Sequence, residues 1–299
     1  MRSQEKIYNF YLIFSSFLSE KNLPSSTSDS FIIREVEEIN LRHFHNQLTY
    51  KNNHNRNVLL ANDSISDDIM QKVNWVLYVE DVVSFRWSLD TQIIFYHKLD
   101  QFSEELLKFW LYHITMPVYL SLAKVYKFLH TGAVEFENEA LLFMAPSFGG
   151  KSTLTSYFLK KGHALITDDK LGVFKKDNTF WGVSSHSYSR PYRQMEVLGQ
   201  KWMSIVKNPL PIKVIYILDR NDSYDSTLFK ELYGVEKFQH LHQGAEMNFS
   251  HLVKEYIPFL AAVANSLPIF MISIPNDLNR LEEVYNSIIN HLSELKERG

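Results

Sequence analysis

Cysteine is absent from all 299 residues, and that single absence removes disulfides, thiolate zinc sites and a Cys nucleophile together. It fits a reducing, cytoplasmic compartment. A long basic run is also missing, and the formal net charge is -3. Nucleic acid is therefore not expected as a partner, because neutralising phosphates needs clustered Lys and Arg. Residues 256–276 carry no charge over a length that could span a bilayer, but Pro258, Asn265, Pro268 and Pro275 punctuate them. They read as a short core helix followed by a buried strand, and no membrane partner is expected. Residues 7–19 follow Arg2 and Lys6 in the manner of a secretion signal, yet they contain Asn9 and run into Glu20-Lys21 without a small-residue cleavage site. Internal repeats, low-complexity segments and an NKxD-type guanine-reading segment are lacking as well. What is present is core material: 45% of residues are apolar, with 21 Phe and 16 Tyr. That suffices for one large domain or two ordinary ones.

Along the chain, residues 8–18 favour strand, 23–30 (LPSSTSDS) a loop and 31–33 an extended resumption. The polar stretch 43–57 predicts an exposed loop or hairpin, and WVLYV, VVSFRWSL and TQIIFYH between 73 and 97 predict β runs. The expectation for residues 1–108 is a β-rich region built on a small antiparallel sheet. From Phe102 the period changes to a helical one, with Leu106, Leu107, Trp110, Ile114, Val118, Leu122 and Leu129 on the pattern and Pro117 interrupting it. Two packed helices or one kinked helix would connect the halves across 109–128. Beyond it, residues 129–299 alternate strand and helix signals, which argues for an α/β half. Hairpins are expected at 133–144 and 171–183, a loop at 184–193, strands at 214–218 and 269–274, a helix at 248–265, and a last helix capped by Asn276.

One stretch in that half declares a chemistry. The apolar run 140–144 reads as a buried strand that Pro146 to Gly150 must end, and a helix follows with Leu154, Phe158 and Leu159 on one face. Between them, Gly149, Gly150, Lys151 and Ser152 match the end of a GxxxxGK[ST] phosphate loop. In such a loop the backbone N–H groups face nucleotide phosphates, the Lys reaches the outer phosphates and the hydroxyl ligates Mg²⁺. The match departs from the pattern twice. Ala145 stands where the first Gly belongs, and Phe148 occupies a position often small, so the turn must be made without glycine's freedom. Then Thr167-Asp168-Asp169 ends a short strand, its carboxylates 17 and 18 residues past Lys151. Adjacent carboxylates there can divide labour between Mg²⁺ and a substrate hydroxyl, since phosphoryl transfer chiefly needs charge neutralisation and an aligned nucleophile. His43-Phe44-His45 and His240-Leu241-His242 would place imidazoles on one side of local strands, without an evident carboxylate partner for a metal.

LHTGAV at 129–134, APSFGGKST at 145–153, KKGHALITDD at 160–169 and RPYRQMEVLG at 190–199 together resemble the HPr kinase/phosphorylase group. The closer likeness is to its shorter, divergent relatives, including kinases encoded beside lasso-peptide precursors. The resemblance implies a P-loop, HPr-kinase-like (PEP carboxykinase-like) α/β domain using ATP and Mg²⁺. It implies that Ala145, Pro146, Ser147, Phe148, Gly149, Gly150, Lys151, Ser152 and Thr153 bind the nucleotide, with Lys151 on the phosphates. Ser152 would hold Mg²⁺, assisted by Asp168 and by Glu196, the latter matched only across a two-residue gap. Asp169 would be the base for a substrate serine, and His130, 21 residues before Lys151, the active-site histidine. Arg190 and Arg193 could offset charge on the transferred phosphoryl or bind an acidic substrate group. No segment matches the family's PxRPGR, so the resemblance does not extend to HPr itself as substrate. By analogy with hexameric HPr kinases the chain would be a homo-oligomer. The expectation is a serine kinase acting on a peptide or protein, with a ribosomally made peptide as the specific guess. The alternatives are a kinase of a free amino acid or sugar hydroxyl, and a degenerate nucleotide-binding module.

Overall fold

The structure, a computed structural model, describes residues 5–15, 29–52, 55–64, 73–146, 148–190, 196–245 and 250–298. Most of the predicted loop at 23–30 lies outside these residues. The chain divides into two units. The first comprises the described residues up to Tyr126 together with 196–198 and 250–255, and the second takes the remainder.

In the first unit, alternating apolar residues build β1 Glu5–Ile7, β2 Phe10–Ser15, β3 Ser30–Glu35, β4 His45–Lys51, β5 Asn57–Asn62, β6 Asn74–Val79, β7 Val83–Ser88 and β8 Ile93–Lys98. They form one sheet in the order β1-β2-β3-β8-β7-β6-β5-β4. The predicted hairpin at 43–57 is β4–β5, and the three predicted runs after Val73 are β6, β7 and β8. The sheet is neither small nor wholly antiparallel, because β3 pairs in parallel with both β2 and β8. Local alternation reports that a strand exists but not which distant strand it joins. Cross-strand aromatics such as Trp75 opposite Trp87 fill one face, and both are buried.

Helix α1 Glu104–Trp110 starts where Ser103 accepts the Leu106 N–H at 3.1 Å, with Glu104 and Glu105 favourably placed in its first turn. A π-helical segment, Leu111–Thr115, carries it without a break into α2 Met116–Leu122. Pro117 was expected to interrupt the helix. It does not: a π-helical turn lies directly before it, in which the Met116 N–H reaches back to Leu111 O, and the widened turn takes up the missing N–H. The helix ends before Leu129, with Lys124 at φ 58° closing it.

The second unit contains β9 Lys127–His130, β10 Gly132–Phe136, β11 Glu139–Met144, α3 Lys151–Lys160, β12 Leu165–Thr167, β13 Lys170–Lys176, β14 Thr179–Val183, β15 Tyr188–Ser189 and β16 Gln200–Lys201. These are followed by β17 Leu210–Asn221, β18 Leu228–Glu231, α4 Gly234–Gln243, α5 Ser250–Ser266, β19 Ile269–Pro275 and α6 Leu281–Arg298. A nine-stranded sheet runs β12-β10-β11-β17-β14-β13-β9, with β19 joining β17 and β18. β17 is longer than the apolar run VIYIL suggests. Its first residues pair with β14, its middle in parallel with β11 and its later residues in parallel with β19.

The period of two divides the core. Leu141, Phe143, Val214 and Tyr216 face one layer with α3 and α6, while Ala140, Leu142, Met144, Ile215 and Ile217 face another with Leu241 of α4 and Leu260 and Val263 of α5. The result is a mixed α/β unit with helices on both faces. Helix α4 was not anticipated: His240-Leu241-His242 was read as strand. In the helix Leu241 is buried and His242 exposed, so the two imidazoles do not share a face. Asp277, rather than Asn276, begins the last helical stretch, accepting the Asn279 N–H at 2.9 Å ahead of a short 3₁₀ turn. Among the described residues, no helix is long and apolar enough to cross a membrane.

Candidate functional site

Parallel pairing of β11 with β17 and of β17 with β19 directs the carboxyl ends of three strands the same way, and ligands of open α/β sheets bind outside such ends. The loop at 145–150 leaves β11 there and feeds directly into α3. Gly150 is the residue before the helix, with φ 95°, a left-handed conformation that a side chain would strain. It supplies no capping side chain, so the first-turn amides of Lys151, Ser152 and Thr153 are offered to whatever binds at the helix N-terminus. Phe148 also adopts a left-handed conformation, φ 64°, and the residue is 83% exposed. The Gly149 N–H closes a turn on Pro146 O at 3.0 Å. Lys151 is buried, and its ammonium donates to Ala145 O at 2.6 Å and Pro146 O at 3.3 Å. The Lys therefore curls back over the loop that precedes it.

The acidic pair sits at the end of β12. Thr167 organises the turn with one hydroxyl: it donates to Lys170 O at 3.0 Å, meets Ser185 Oγ at 2.8 Å and accepts the Asp169 N–H at 3.3 Å. Asp168 turns inward and is buried. Its Oδ2 accepts the Arg190 N–H at 2.8 Å, while its Oδ1 has no hydrogen-bond partner. Burial pushes the Asp168 carboxyl up to about 6, and the like charge of Asp169 adds to this. The Arg190 N–H, the nearby Ser152 hydroxyl and the Arg190 guanidinium act in the opposite direction. The hydroxyl at the start of α3 and the inward carboxylate are thus neighbours.

Asp169 turns the other way. His130 Nδ1 lies 3.0 Å from its Oδ1 and Arg190 Nη2 lies 3.1 Å from its Oδ2. Since an ionised carboxylate only accepts, Nδ1 carries the hydrogen. Backbone pairing fixes this meeting, because His130 of β9 stands opposite Lys170 of β13 and the Thr131 N–H donates to Asp169 O at 2.9 Å. A strand far earlier in the chain thereby delivers the histidine to the acidic turn.

The structure brings together His130, Lys151, Ser152, Asp168, Asp169 and Arg190 in the second unit. Glu196 belongs to the first unit, where Arg56 Nε holds one carboxylate oxygen at 3.0 Å and Asn52 Nδ2 the other at 2.7 Å. Ser147 and Arg193 lie outside the described residues. No group of three or more His, Asp or Glu among the described residues is placed to hold a metal, so the two His-x-His segments form no such cluster. Sequence reading missed Ser185, which anchors the acidic turn from a stretch taken as loop. It also missed Arg220 at the end of β17, whose side chain reaches the 145–150 loop. The buried register of Ser185, His186 and Ser189 has no periodic signature that would have announced it.

No protein-family model matches this sequence, and no curated protein matches it. Among solved structures, the HPr(Ser) kinase/phosphatase from Coxiella burnetii is similar at 14% identity and a TM-score of 0.37, covering 58% of this chain and 99% of that one. Roles for individual residues rest on the geometry above.

Proposed function

We propose that this chain is an ATP- and Mg²⁺-dependent phosphotransferase of HPr-kinase-like design, a serine kinase acting on a peptide or protein. A ribosomally made peptide is the proposed substrate class. The observation that carries the reading is Asp168 Oδ1, a buried carboxylate oxygen without a protein partner, with Ser152 beside it at the open N-terminus of a helix entered through a GGKS loop. These residues fit a divalent cation. Mg²⁺ is commonly held by one or two protein oxygens and completes its shell with water and phosphate oxygens, so Ser152 and Asp168 would hold it without a third carboxylate. When bound, the ion would neutralise charge between the β- and γ-phosphates.

In the reaction, the first-turn amides of α3 bind the outer phosphates, and the Lys151 ammonium exchanges the Ala145 and Pro146 carbonyls for phosphate oxygens. Asp169 takes the proton of the acceptor hydroxyl, whose oxygen attacks the γ-phosphorus. The bond from that phosphorus to the β–γ bridging oxygen breaks, and ADP leaves. His130 and Arg190 hold one Asp169 oxygen each, which fixes the carboxylate in place, and Arg190 can also offset charge on the phosphoryl.

Asp169→Asn tests the reading. It keeps the side-chain shape but accepts no proton, so ATP affinity should persist while transfer falls by about a hundredfold or more. Transfer at the wild-type rate would remove Asp169 as the base. Incubating the protein with γ-labelled ATP and separate pools of peptides, amino acids and sugars should label peptide alone. Label confined to a small molecule would overturn the substrate class.

A further inference from the structure

Arg220 stands where β17 leaves its parallel partner β11, at the carboxyl end of the sheet beside the 145–150 loop. Its Nη2 donates to Phe148 O at 3.0 Å. A Cβ built on Gly150 would lie 3.8 Å from Arg220 Nη1 and 3.9 Å from its Cδ, so the guanidinium covers the peptides between Phe148 and the start of α3. The loop needs such a grip. Ala145 replaces the first glycine of the pattern, and the left-handed turn has instead moved to Phe148, a bulky residue in a conformation that glycine or asparagine would enter more easily. Phe148 is 83% exposed, so burial of its side chain does not hold that conformation. Two cations hold the loop's carbonyls instead: Lys151 on Ala145 and Pro146, and Arg220 on Phe148. Carbonyls held in this way keep the backbone that enters α3 in place, so that its uncapped first turn faces the site where an anion would be received.

We propose that Arg220 is a positioning residue that holds the phosphate loop in its receiving conformation, compensating for the missing first glycine by binding the Phe148 carbonyl. The inference rests on the nucleotide reading for its purpose, but its structural content can be measured without nucleotide. Arg220 is exposed, so its replacement leaves the cores untouched.

The experiment compares wild type, Arg220→Ala and the double variant Arg220→Ala/Phe148→Asn, by amide hydrogen exchange without ligand at Gly149 and Leu154, whose N–H groups are bonded to Pro146 O and Gly150 O, and by calorimetry with ATP·Mg²⁺. Loss of a charged hydrogen bond should speed exchange and weaken nucleotide binding, each by about tenfold. KM for ATP should move more than kcat. Asparagine enters the left-handed region more readily than phenylalanine and should restore much of both in the double variant. Unchanged exchange in Arg220→Ala would overturn the proposal. So would weakened binding that Phe148→Asn fails to restore, since that pattern belongs to an arginine touching phosphate directly. A wild-type protein that binds no ATP·Mg²⁺ would instead sink the nucleotide reading, and the exchange comparison would still decide the role of Arg220.

Discussion

At Asp168 the fold holds a carboxyl where burial disfavours its charge, raising it from the ordinary aspartate value of 3.8 to about 6. A raised carboxylate contributes stability that is fully present below 3.8 and is lost as pH rises through about 6. Above that, the ionised group burdens the ligand-free protein by about 3 kcal/mol, the worth of a shift of about two units. Asp168→Asn should therefore raise the denaturation midpoint at pH 7.5, and the gain should shrink as pH falls from 6 toward 4. Urea titrations at both ends of that range check this, and a destabilised variant at pH 7.5 would contradict it. Added Mg²⁺ should stabilise wild type and leave the variant unmoved. The same residue would thus be a stability cost and a functional necessity, as strained groups at working sites commonly are. Sequence alone marked the Asp168-Asp169 pair but could not say which turned inward. The Arg190 N–H on Asp168 and the His130 and Arg190 side chains on Asp169 make that choice against the cost of desolvating Asp168, and they come from elements outside the turn.

At the scale of elements, β10 passes so close to α3 that a Cβ at Gly132 would fall 2.3 Å from Thr155 Oγ1. Thr155 is fully buried, so its close-packed surroundings resist its swinging aside. Gly132 lies two residues after His130, at the start of the next strand, and Thr155 one turn after Lys151, which makes this contact the gauge of the distance between the chain just past the histidine and the loop helix. Gly132→Ala should cost about 2 kcal/mol through overpacking. Adding Thr155→Ala should recover part of the loss, because removing the hydroxyl opens the space the methyl needs. Chemical denaturation of the two single variants and the double variant measures the coupling, and strict additivity would contradict the contact. The sequence showed β10, β11 and α3 by their periods. The close approach was not legible, since a glycine inside a strand has several readings and the threonine that meets it lies in another element.

At the scale of the whole molecule, the first unit is discontinuous in sequence, and residues 196–198 belong to it. Glu196 is buried and holds Arg56 at 3.0 Å and Asn52 at 2.7 Å, while Arg56 also donates to Gln101 Oε1 at 3.0 Å. Glu196→Ala leaves a largely buried guanidinium short of its counter-charge, and a loss of about 3 kcal/mol is expected from denaturant unfolding. An unchanged midpoint would mean the pair adds nothing. No linear division of the chain, at 108 or at 128, could have assigned this segment, because membership in a core follows contact rather than chain order. By itself the sequence determined many of the strands and helices of both units, the glycine-lysine-serine loop and the acidic pair, since each is written in local periodicity or in adjacent residue types; it did not show β9, which fell within the helical pattern up to Leu129. Only the tertiary structure decided that β9 carries His130 to Asp169, that Asp168 rather than Asp169 is buried beside Ser152, and that Glu196 is held in the first unit. Those outcomes depend on strand pairing and on hydrogen bonds between residues far apart in the chain, and no local pattern encodes them.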